Sequence, residues 1–97
     1  MARIETPNRE AKRSRGATDL GAPWRVIVRN DDHNTFEGVT YALSTTLPGV
    51  TPEAGLRLAT AIHNHGLAVV WSGHLELAEL YHEQLASFGL TMAPLEQ

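Results

Sequence analysis

Asn30-Asp31-Asp32-His33-Asn34 is the most polar run in the folded part of the chain, and it concentrates groups able to meet a cation. Asp31 and Asp32 carry charge, while Asn30 and Asn34 add amide oxygens together with amide donors. Such a run more commonly ends a strand and satisfies its own backbone in a turn. His63 stands beside Ile62 on the inward face of a helix, where a lone histidine is usually a core residue with a satisfied hydrogen bond. His63-Asn64-His65 does not read as a chelate, because residues two apart on a helix point to different sides. With His33, His74 and His82 scattered and no cysteine in the chain, no metal site is expected. Catalysis fares no better. No serine or threonine stands in a nucleophile turn, no glycine-rich loop follows a strand, and adjacent Asp31 and Asp32 rarely converge on one substrate atom. The residues describe a binding module for a cationic ligand, with no enzymatic activity and no cofactor.

Short elements must position these groups. Trp24, Val26 and Val28 alternate with Arg25, Ile27 and Arg29, a period of two that predicts a strand. Asn34 or Thr35 can cap a helix from about Phe36 to Leu47, with Phe36, Val39, Leu43 and Leu47 on one face. Pro48-Gly49 stops it. Thr51-Pro52-Glu53 opens a second helix, with Leu56, Ala59, Ile62 and His63 on one face and Gly66 as its left-handed end. Leu67 to Trp71 is an apolar run of strand length. A third helix follows from about His74 to Phe88, with Leu75, Ala78, Leu85 and Phe88 inward. Leu90 to Leu95 is expected as an edge strand whose pairing Pro94 limits. The fold class is α+β: a small three-stranded antiparallel sheet packed on three helices, in the order β-α-α-β-α-β.

Composition limits the partners. Residues 1–23 hold five Lys and Arg against three acids and few large apolar side chains, so they read as a disordered arm. Residues 24–97 form the domain, with three Arg against eight acids. An acidic body argues against nucleic acid, which selects clustered cations. No apolar stretch is long enough to span a bilayer, and no secretory signal is evident. A cytoplasmic monomer is the expectation, a plastid stroma being the less favoured setting.

The run Trp24 to Glu37, read with Ala61-Ile62-His63-Asn64-His65-Gly66-Leu67-Ala68-Val69-Val70 and the Leu77-Ala78-Glu79 step, resembles the ClpS family of Clp protease adaptors. The resemblance covers about residues 24–96. It implies an adaptor that binds proteins with a free N-terminus and a first residue of Leu, Phe, Tyr or Trp, the N-degron, and delivers them to the ClpA or ClpC unfoldase. Asn30, Asp31 and His63 are then implied to hold the α-ammonium, with Asp32 and Asn34 beside the first peptide group. Phe36, Val39, Ala59, Ile62 and Leu90 are implied to line the side-chain pocket, Ala59 standing where a methionine is common. Glu76 and Tyr81 fall at positions implied to face the N-terminal domain of the unfoldase, Tyr81 in place of a lysine. The arm is implied to serve delivery and not peptide affinity. A reading of another class is a docking module of ribosomal-stalk-like fold without an amine pocket.

Overall fold

The computed structural model describes residues 21–97. The arm expected over 1–23 therefore lies, up to residue 20, outside the described residues. The elements are β1 (Trp24–Arg29), α1 (Phe36–Thr46), α2 (Pro52–His65), β2 (Leu67–Gly73), α3 (Leu75–Ser87) and β3 (Thr91–Met92). This is the order expected from periodicity. The sheet runs β2-β1-β3, with β1 central and antiparallel to both neighbours.

Alternation on β1 sends Val26 and Val28 into the core, both essentially inaccessible to solvent. Ile27 is also buried, although it belongs to the opposite face. A register shift between Val26 and Ile27 pairs them with Trp71 and Val69, so Val70 is the extra residue of a bulge. The bulge turns Val70 into the core beside Trp71, while Leu67 and Val69 stay exposed. The expected strand over the apolar run forms, and it is covered on one face only.

Both capping expectations hold. The Thr35 hydroxyl accepts from the Gly38 N–H at 2.9 Å, and that of Thr51 accepts from the Ala54 N–H at 3.1 Å. Gly66 ends α2 at φ 88°, where a side chain would be strained. α1 and α2 pack closely because Gly55 faces Thr40: a Cβ at 55 would stand 3.1 Å from the Thr40 carbonyl oxygen. α2 buries the narrow stripe Gly55, Ala59 and Ile62, and Leu56, one step round the helix, faces solvent. On α3 only Ala78 and Leu85 are fully buried. Leu75 and Phe88, expected inward, are exposed, since they sit at or beyond the helix ends, where the sheet no longer covers them. Phe88 packs instead edge-on to Tyr41, with ring centres 6.0 Å apart. The last strand keeps two residues, and pairing resumes beyond Pro94 as a single bridge from Glu96 to Arg25. Each buried Leu, Ile or Val contributes about 1.5–3 kcal/mol, which is how a domain without disulfides holds its shape.

Candidate functional site

Past Arg29 the chain leaves the sheet. The Asn30 N–H donates to the Gly66 carbonyl at 2.8 Å, which sets Asn30 beside the end of α2, one turn from His63. Asp31 turns inward. Its Oδ1 accepts from the backbone N–H groups of His33 (3.1 Å) and Asn34 (2.8 Å). Its Oδ2 accepts from the Asn34 amide (2.7 Å) and the Thr91 hydroxyl (2.8 Å). Burial pushes the Asp31 carboxyl up, but the bonds from Asn34, Thr91 and His33 outweigh it and hold the group well below the usual carboxylate range. Asp32 is the opposite case. Its side chain is fully exposed against 10% for Asp31, and one of its oxygens lies 3.7 Å from His33 Nδ1.

Asn30, Asp31, Asp32, Asn34 and His63 line one side of a cavity of about 230 Å³. Phe36 and Val39 from α1, Ala59 and Ile62 from α2, and Leu90 after α3 line the rest. The volume is below that of sites for drug-sized ligands and suits one large side chain. His63 is on the exposed rim, not in the core, and the Phe36 ring meets it edge-on at 5.3 Å. Among the described residues, neither the Asn30 amide nor the His63 imidazole has a hydrogen-bond partner, so both keep free acceptors at the mouth of an apolar pocket. Asn34 has spent both amide hydrogens, on Asp31 and on the Gly89 carbonyl at 3.0 Å, and retains its oxygen.

Val28, Arg29, Thr35 and Thr91 also line the cavity without having been singled out. Thr91 is the informative omission. Its bond to Asp31 spans 60 residues, and no local pattern announces it. Glu76 and Tyr81 lie on α3, away from the cavity. Glu76 is exposed in the first turn, whereas Tyr81 is half-buried with its ring edge-on to Trp71 at 4.9 Å. Among the described residues, no group of acids and histidines is placed to hold a metal ion, and no helix is long and apolar enough to cross a membrane.

Residues 21–93 match the family described as ATP-dependent Clp protease adaptor protein ClpS. The chain belongs to the ClpS family. An ATP-dependent Clp protease adapter protein ClpS of Synechocystis sp. is 51% identical over 74 residues, which is 76% of either chain. The chloroplastic Clp protease adapter of Arabidopsis thaliana is 35% identical over 86 residues, covering 88% of this chain and 54% of the plant protein. Among solved structures, Agrobacterium tumefaciens ClpS2 bound to L-phenylalaninamide superposes with a TM-score of 0.71 at 25% identity, covering 76% of this chain and 94% of that one. ClpS proteins are adaptors of the protease and not the protease itself. The architecture of three strands and three helices matches that ClpS fold, and in this chain the cavity opens between the polar loop, α1 and α2.

Proposed function

We propose that the cavity binds the free N-terminus of a polypeptide whose first residue is Leu, Phe, Tyr or Trp, and that the domain passes it to a ClpA or ClpC unfoldase. The observation that carries this reading is the junction of free polar acceptors with a small apolar pocket. An α-ammonium offers three donors and no acceptor. The Asn30 oxygen and a neutral His63 nitrogen complement it, and the fixed negative charge of Asp31 favours a cation nearby. Asp32 and the remaining oxygen of Asn34 line the same cavity and are the proposed contacts to the first peptide group. Phe36, Val39, Ala59, Ile62 and Leu90 receive the side chain, whose burial is worth roughly 1.5–3 kcal/mol. The ligand of the Agrobacterium relative has the same two features, a free α-amine and a benzyl group, and no free carboxylate.

Glu76 and Tyr81 on α3 are the proposed contacts to the N-terminal domain of the unfoldase, made by a monomer in the cytoplasm. The deciding titration compares a peptide beginning with Phe and the same peptide N-acetylated. The free amine should bind at least about a hundredfold tighter, since acetylation removes the charge and its charge-assisted hydrogen bonds. Equal affinities would overturn the reading. Delivery is read separately, as degradation of a Phe-initiated substrate by reconstituted protease with and without the adaptor.

A further inference from the structure

Leu90 reaches the cavity from the segment after α3, and both of its chain neighbours are bonded directly to the polar loop. The Gly89 carbonyl accepts from the Asn34 amide at 3.0 Å, and the Thr91 hydroxyl donates to Asp31 Oδ2 at 2.8 Å. Asn34 also donates to the same Asp31 oxygen at 2.7 Å, so three side chains and one carbonyl form a closed link around the base of the loop. Backbone pairing between β1 and β3 stops at Arg29 opposite Thr91. Asp31 is two residues past that point, so the side chains take over where the ladder ends. Leu90 itself is buried, and its own N–H bonds back to the Leu85 carbonyl at 3.3 Å.

We propose that Thr91 is a positioning residue: together with Asn34 it clamps the Gly89–Thr91 segment to the Asn30–Asn34 loop, so that the apolar wall at Leu90 and the amine-facing loop keep one fixed spacing. The inference rests on the proposed function, and it gives that site a single ruler linking amine recognition to side-chain selection. A hydroxyl is required because Oδ2 needs a second donor. Valine has the same shape and none. The other charged or titratable groups around Asp31 are His33 and Asp32 in the loop, with His33 Nε2 4.0 Å from Oδ2, Arg29 on β1 and His63 on α2. Residues 89–91 bring none, so a change at Thr91 alters donors without altering charge.

The test uses the full chain with Thr91→Val and Thr91→Ser. Titrated with peptides beginning Phe and Leu, Thr91→Val should bind about three- to tenfold more weakly, the range for one lost hydrogen bond, and its Phe-to-Leu ratio should change. Thr91→Ser should restore both. In the unliganded protein, NMR titration of the Asp31 carboxyl should move upward in Thr91→Val and return in Thr91→Ser, and the Leu90 methyl resonances should shift in parallel. An unmoved Asp31 titration would show that the bond does not form in solution and would overturn the clamp. A moved titration with unchanged Leu90 resonances, affinity and selectivity would overturn it equally. Weakening that serine fails to rescue would assign Thr91 a packing role instead. If the wild-type chain does not prefer the free amine over the acetylated peptide, the proposed function fails, and the Asp31 and Leu90 resonances still judge the clamp by themselves.

Discussion

The two ends of the cavity are built differently. The polar end comes from one contiguous loop and a single helical histidine, and hydrogen bonds of 2.7–3.1 Å to Asp31 hold that loop. The apolar end collects side chains from two helices and from the segment after the third; packing sets the spacing of the helical ones, and the proposed hydrogen-bonded clamp reaches this end only at Leu90. Hydrogen bonds have direction and fail when one atom is lost, whereas packing degrades by volume. Changes at the polar end should therefore switch recognition off, and changes at the apolar end should retune it.

The largest expected effect breaks the polar end outright. Replacing both Asn30 and His63 by Ala removes the two free acceptors and should weaken a Phe-initiated peptide by more than about a hundredfold, as two charge-assisted bonds imply. Both residues are exposed, so the urea midpoint should barely move. A loss below about tenfold by calorimetry would place the amine elsewhere.

Asp31 separates holding the loop from holding the ligand. Asp31→Ala leaves four donors without their acceptor and should destabilise the domain by about 2 kcal/mol in urea titrations. The carboxyl is held below its unfolded value, so its contribution is complete above about pH 4 and is lost as pH falls towards the depressed folded-state value. Asp31→Asn should flatten that acid limb of the stability curve. A limb identical to wild type would mean that another carboxylate sets it.

The apolar end should respond in smaller steps. Phe36→Ala should weaken every ligand by about 1 kcal/mol, partly because His63 loses the ring that meets it edge-on. Ala59→Met fills part of the cavity with a flexible chain and should move preference from aromatic first residues towards Leu by a similar amount. Matched peptides beginning Leu, Phe, Tyr, Trp, Ile and Val give the rank orders, and one order shared by all three proteins would remove these positions from selectivity. Finest of all is a pair of caps. Thr35→Ala and Thr51→Ala each lose a similar helix cap, about 1 kcal/mol of stability, but only Thr35 borders the cavity. Only its loss should also weaken peptide binding.

Element order, both threonine caps and the left-handed Gly66 were legible because their signals are local: period, cap residue, glycine after the last turn. The polar loop was legible for the same reason, being five neighbours in sequence. What stayed hidden depends on distant partners. The solvent positions of Leu56, beside a buried stripe narrower than its helical face, and of Leu75 and Phe88, at or beyond the ends of α3, depend on how far each helix is covered, which helical spacing does not encode. The one-residue bulge that turns Val70 inward is a property of strand pairing. Likewise, Asp31 looked like a free ligand for a cation, and only the fold shows its oxygens already engaged from Asn34 and Thr91.

Gly55 borders no part of the cavity, yet it sits where α2 crosses Thr40, and the cavity opens further along the same two helices. The helices act as the arms of a calliper with its pivot at that crossing. A methyl group added there meets a backbone oxygen at 3.1 Å, which cannot swing aside like a side-chain tip, so the arms themselves must yield by a few tenths of an ångström. The jaw between Val39 and Ala59 would be regauged from a distance. Gly55→Ala should then alter which first residues are admitted while every atom of the lining is unchanged, making the missing methyl the setting screw of the instrument.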